Sequence, residues 1–257
     1  MAAEHGRFVW YELITSDPDA AEAFYSDVVG WQIADAEMPG MDYRMGRGNG
    51  GMVCGILPLT QDMIDSGTRA AWYGYIAVDN VDESVDNAKA SGGQLHVPPT
   101  DIPQVGRFAQ IADPQGVPIY LMQMAGDDAP EAYQSEADGH CAWNELTTSD
   151  YDAAIDFYSS AFDWNRGEQM DMGAMGHYQI LRCNDENMAG VLATFDGGPP
   201  PMWRYYFRVP ALAPAIEKIN SLGGTVIHGP QPVAGGDEII VGIDPQGAIF
   251  CLVATTA

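Results

Sequence analysis

The stretch "FVWYELITSDPDAAEAFYSDVVGW", residues 8–31, returns as "CAWNELTTSDYDAAIDFYSSAFDW", residues 141–164. Its opening run, "FVWYELIT", alternates as a half-buried strand does, which places Trp10, Glu12 and Ile14 on one face. Asp17 followed by Pro18 reads as an N-cap and first helical residue, after which Ala21, Phe24, Tyr25 and Val28 keep the spacing of a buried helical stripe. Gly30 stands where such a helix stops. In the second copy Asp150 caps, Ala154, Phe157, Tyr158 and Ala161 form the stripe, and Asp163 replaces Gly30. Strand, turn and helix are written twice, and both copies keep a tryptophan and a glutamate on one strand face: Trp10 with Glu12, and Trp143 with Glu145.

Short strand-like runs follow each helix, around Trp31 to Ile33, Tyr43 to Met45 and Met52 to Leu57 in the first copy. Their counterparts lie near Trp164, at Tyr178 to Leu181 and at Met188 to Thr194. Each set completes a β-α-β-β-β unit. A second unit begins at "WYGYIAVDNVDESVDNAKASGG" with a strand and a helix over 81–90 that stops at Gly92-Gly93; "WRYYFRVPALAPAIEKINSLGG" stops likewise at Gly223-Gly224. Both second units end in hairpins turned by "DPQG", at Asp113 to Gly116 and Asp244 to Gly247. The expectation is an α+β chain of four β-α-β-β-β units in two tandem domains, residues 1–124 and 140–257, joined by an acidic linker over 125–139.

A chain of 257 residues with 46% hydrophobic residues and 29 glycines suffices for two modest cores, and its apolar runs are too short to cross a bilayer. Eleven basic residues stand against 36 acidic ones, a formal charge of −25, and Lys89 and Lys218 are the only lysines. Such a field repels nucleic acid and anionic membranes, which leaves small molecules as the expected partners. The start, "MAAEHGRFVW", has no basic and then apolar signal pattern. Cys54, Cys141, Cys183 and Cys251 show no CxxC spacing, so reduced thiols and a cytoplasmic location are expected. Monomer and homodimer both remain open.

Paired β-α-β-β-β units, the "FYSDVVGW" helix end and the "DPQG" hairpins resemble the vicinal oxygen chelate superfamily, which includes glyoxalase I, extradiol dioxygenases and bleomycin-resistance proteins. "WYELITSD" and "WNELTTSD" heading two tandem domains are similar to a bacterial group labelled glyoxalase-like or hydroxylase, which includes mycobacterial culture-filtrate antigens. The resemblance implies two trough-shaped mixed sheets. In metal-using members it also implies His, Gln or Glu ligands on the inner strands. Those positions fall on Trp10, Tyr73 and Tyr120 in the first domain and on Trp143, Arg204 and Cys251 in the second, and no His, Asp or Glu occurs in 52–57 or 188–194. The usual divalent-metal site is therefore expected to be absent from both domains, with no cofactor in its place.

Strand alternation would line the first trough with Trp10, Glu12, Tyr73, Tyr75 and Tyr120, and the second with Trp143, Glu145, Arg204, Tyr206 and Cys251. Glu12 and Glu145 are the candidate general bases, set against the plainer reading of paired structural carboxylates. Trp10 and Trp143 read either as core or as walls for a flat ligand. Arg204 is placed to hold a ligand anion or to pair with Glu145. Cys251 reads as a nucleophile only if its thiolate is stabilised. His177 follows the Met- and Gly-rich "QMDMGAMG", either a lid over the second trough or a surface loop. Three functions follow: a metal-independent enzyme or glyoxalase-like lyase acting on a carbonyl-bearing or aromatic metabolite, a small-molecule sequestration protein, or a metal-dependent lyase or dioxygenase using other ligands.

Overall fold

The computed structural model describes residues 4–38, 40–126 and 129–256. The first half runs β1 (Phe8–Thr15), α1 (Pro18–Val28), β2 (Gln32–Asp35), β3 (Arg44–Gly48), β4 (Gly51–Pro58), α2 (Gln61–Asp65), β5 (Ala71–Ala77), α3 (Val81–Ala90), β6 (Gln94–Ile102), β7 (Gly106–Ala112) and β8 (Pro118–Met124). The second runs β9 (Cys141–Thr148), α4 (Tyr151–Phe162), β10 (Asn165–Asp171), β11 (His177–Cys183), β12 (Glu186–Ala193), β13 (Met202–Arg208), α5 (Leu212–Ser221), β14 (Thr225–Pro232), β15 (Asp237–Ile243) and β16 (Ile249–Thr255). Each half forms one eight-stranded mixed sheet, ordered β2-β3-β4-β1-β5-β8-β7-β6 and β10-β11-β12-β9-β13-β16-β15-β14. Adding eight to every strand label converts the first order into the second, so the duplication read in the sequence extends to the hydrogen-bond ladders.

The helix ends follow from local chemistry. Asp17 caps α1 by accepting from the Ala20 N–H at 3.0 Å, Pro18 opens the helix, and Gly30 takes φ +88° beyond its end. Asp150 caps α4 through Ala153 at 3.1 Å, while Asp163 takes a left-handed φ of 56° in the position that glycine fills in α1. No pattern in the sequence marks α2. It spans five residues, buries none of them and is held by a Thr60 cap, so it offers no apolar stripe to read. No helix among the described residues is long and apolar enough to cross a membrane.

The burial of β1 departs from the expectation. β1 is not half-buried: of its residues only Trp10 is partly open, while Tyr11 and Leu13 on the opposite face are inaccessible. β1 runs parallel to β4 in the interior of its sheet, and interior parallel strands are covered on both faces. The Tyr11 ring packs edge-on against Tyr205 and Phe207, at 5.1 and 5.7 Å.

By contacts the chain divides into two compact units that draw on both halves, so that Tyr75 and Tyr120 fall with Trp143 and Glu145, and Arg204, Tyr206 and Cys251 fall with Trp10 and Glu12, rather than being grouped by half as the strand pattern predicts. One comprises the chain up to Val9, Gly74–Pro130 and Trp143–Trp203; the other comprises Trp10–Tyr73, Glu131–Ala142 and the chain from Arg204 onward. In the former, the Trp203 indole N–H donates to the Tyr158 hydroxyl at 2.9 Å, which donates to Asp113 Oδ2 at 3.2 Å. In the latter, Trp72 donates to Tyr25 at 2.9 Å and Tyr25 donates to Asp244 Oδ2 at 3.0 Å. The aspartates are those of the two "DPQG" turns. The other oxygen of each folds its own turn, accepting from Gln115 and Val117, both at 2.9 Å, and from Gln246 and Ala248 at 3.0 and 2.8 Å. A motif that reads as a local turn therefore also anchors a helix from the opposite half. In the unit containing residues 131–142, His140 is fully buried, with Nδ1 2.9 Å from the Glu131 carbonyl and Nε2 3.0 Å from the Asn49 carbonyl.

Candidate functional site

Glu12 leaves β1 on the same face as Trp10, and one hydroxyl joins them. Trp10 Nε1 donates to Tyr43 Oη at 3.1 Å, and Tyr43 Oη donates to Glu12 Oε2 at 3.2 Å. The second half repeats the arrangement: Trp143 Nε1 donates to Tyr178 Oη at 2.6 Å, and Tyr178 donates to Glu145 Oε2 at 3.0 Å. Each relay lies wholly within one compact unit. In each relay the tyrosine accepts from the indole and donates to the carboxylate, so its single proton is directed at the carboxylate.

The environments differ. Glu12 is 3% exposed, whereas Glu145 is half-buried. Burial, and then the Glu12 carboxylate, push the Tyr43 hydroxyl well above its usual range, while the Trp10 N–H partly offsets them. Tyr43 therefore remains a proton donor at neutral pH. Burial first, and next the Glu12 charge, also raise the Cys54 thiol, so Cys54 is held as the neutral thiol.

The remaining residues singled out from the sequence are placed as follows. Tyr75 and Tyr120 are register partners across the parallel β5–β8 pair, with rings stacked 4.4 Å apart at 9°, each 8% exposed. Tyr73 is half-buried on β5, and burial raises its hydroxyl. Tyr206 and Cys251 hold the same register across β13–β16, 3% and 0% exposed, and Arg204 is half-buried on β13. His177 is exposed at the start of β11, opposite Asp171, and next to it in sequence is Tyr178. The four cysteines are buried and none forms a disulfide.

Sequence reasoning passed over Tyr43 and Tyr178, which it treated only as the starts of strands. A signal was present: Tyr43 precedes Gly55 by 12 residues and Tyr178 precedes Gly190 by the same 12. Among the described residues no three His, Cys, Asp or Glu side chains lie close enough to hold an ion.

Comparison with known proteins places this geometry. The Glyoxalase/Bleomycin resistance protein/Dioxygenase superfamily model matches residues 7–121 and 139–252. The protein named "Putative glyoxylase CFP32" of Mycobacterium tuberculosis (strain CDC 1551 / Oshkosh) is 34% identical over 243 residues, covering 94% of this chain and 92% of its own. "Anthracycline biosynthesis protein DnrV" of Streptomyces peucetius is 26% identical, covering 96% and 93%. Among solved structures, the Mn(II)-bound glyoxalase from Novosphingobium aromaticivorans superposes with a TM-score of 0.68 at 15% identity, over 98% of this chain and 83% of that one. The last likeness concerns the fold alone. With the family model covering both halves, and a relative above 30% identity spanning nearly the whole chain, this protein belongs to the glyoxalase/bleomycin resistance protein/dioxygenase superfamily.

Proposed function

We propose that the protein binds a small aromatic, carbonyl-bearing molecule and that Glu12 and Glu145 act on it as acid–base groups without a divalent metal. The duplicated Trp–Tyr–Glu relay carries this reading. Both halves retain a carboxylate, a phenol and an indole in one hydrogen-bonded line, although the residues around them have diverged. An aromatic wall beside an oriented carboxylate suits a flat ligand with an ionisable proton.

The donor set argues against the metal chemistry of metal-using relatives. An indole N–H and a guanidinium offer no lone pair to an ion, and these are what Trp10, Trp143 and Arg204 supply at the aligned ligand positions. Those residues do not fit a divalent cation. Of the two carboxylates, half-buried Glu145 is the better placed to meet a ligand than Glu12 at 3% exposure. The relative named for anthracycline biosynthesis supports the ligand class, since anthracyclines are flat polycyclic aromatics bearing quinone carbonyls.

A hydroxyanthraquinone such as alizarin is a direct probe. Titrating it into the protein is expected to quench tryptophan emission saturably, and Trp143→Leu to weaken binding about tenfold, the usual cost of removing an aromatic anchor. Quenching that stays linear with probe concentration would remove this reading.

A further inference from the structure

Gly55 and Gly190 occupy the middle of interior strands, where glycine costs stability and packs nothing. Their backbones do not demand it, because neither has a positive φ and both keep extended strand geometry. What excludes a side chain is the relay. A Cβ at Gly55 would run into the Tyr43 hydroxyl and come within 2.5 Å of Glu12 Oε1, and a Cβ at Gly190 would run into the Tyr178 ring and hydroxyl. The register is the same in both halves. Gly55 pairs with Glu12 on one side and Met45 on the other, Gly190 with Glu145 and Ile180, and each tyrosine lies two residues before the Met45 or Ile180 partner.

We infer that Tyr43 and Tyr178 are positioning residues that hold and aim the Glu12 and Glu145 carboxylates, and that Gly55 and Gly190 are glycine in order to seat them. This rests on reading the two glutamates as bases. The phenol proton stabilises the charged carboxylate, since a hydrogen bond to the ionised form favours that form. The indole N–H keeps the phenol turned toward the acid, because a hydroxyl that accepts from tryptophan has its proton left for the carboxylate. A side chain at either glycine would displace the phenol from the position in which it makes both bonds. A strand glycine retained opposite each glutamate is otherwise unexplained by packing.

The test is made on the ligand-free protein, so that a failure to bind or transform any ligand sinks the proposed function without touching this inference. Glu side-chain carboxyls labelled with carbon-13 are titrated by NMR, with the Glu12 signal assigned from its disappearance in Glu12→Gln. Among the groups against Glu12 are the Tyr43 hydroxyl, the neutral Cys54 thiol and the Gly55 backbone. Tyr43→Phe, which removes one oxygen and leaves the ring, is expected to shift the Glu12 midpoint upward. Gly55→Ala should shift it the same way with the phenol still present, and Tyr25→Phe, outside the relay, should leave it in place. Near-ultraviolet circular dichroism confirms that each variant remains folded. An unmoved midpoint in Tyr43→Phe overturns the inference; a shift in Tyr43→Phe with none in Gly55→Ala overturns the role given to the glycine.

Discussion

Asp244→Ala is expected to lower the unfolding free energy by about 3–5 kcal/mol, because it strips three donors of their acceptor, and a buried polar group left unsatisfied costs roughly 1–3 kcal/mol. The donors are the Gln246 and Ala248 N–H groups, which the carboxylate uses to fold its own turn, and the Tyr25 hydroxyl, which ties α1 to that turn. Asp113→Ala should cost a similar amount, since Gln115, Val117 and Tyr158 stand in the same relation to it. Urea denaturation of the two variants measures this, and a loss below about 1 kcal/mol at either site would mean that water or relaxation replaces the carboxylate. A pH series separates charge from hydrogen bonding. Burial raises both aspartates above their usual value, against the hydrogen bonds that lower them. The folded-state value therefore exceeds the unfolded one. The stabilisation linked to this proton is fully present below about pH 3.9 and is lost as pH rises through the raised folded value. Asp244→Asn carries no such titration, so the stability of the wild type relative to that variant should fall across this window as pH increases.

What the sequence disclosed follows from the range over which each feature acts. Asp17, Pro18 and Gly30 fix α1 through contacts within a few residues, and the same local logic fixes the "DPQG" turns. The reach of Asp244 to Tyr25 spans 219 residues, and nothing in the turn itself announces a partner in the opposite half. Alternation correctly set Trp10 and Glu12 on one face, as their shared bond to Tyr43 requires. It could not supply Tyr43, which comes from another strand hairpin and reaches the site across a glycine. The equal spacing of tyrosine and glycine in the two copies acquires meaning only once the β3–β4 and β11–β12 ladders are known. Tyr75 and Tyr120 illustrate the converse. Both were expected on one face from alternation, and the parallel β5–β8 register stacks them ring on ring.

The largest expected effect on chemistry belongs to Glu145→Gln. On the acid–base reading, removing a positioned base lowers proton transfer by about 100-fold or more. The amide keeps the size of the carboxylate and can still accept from Tyr178 through its carbonyl oxygen, so the loss is of basicity with the relay intact. Glu12→Gln should cost less, because Glu12 is the more enclosed of the two acids. Deuterium incorporation next to the carbonyl of a small ketone such as hydroxyacetone, followed by NMR in heavy water, reads the step without knowledge of the natural substrate. Exchange by Glu145→Gln at the wild-type rate would remove Glu145 as the base. Exchange by the wild type no faster than buffer, together with saturable alizarin binding, would make the protein a carrier or sequestering agent whose carboxylates orient a ligand and abstract nothing from it. The relay geometry is required in both cases, since an aimed acceptor serves recognition and proton transfer alike. What separates them is whether the proton leaves carbon, and that is the quantity the exchange rate measures.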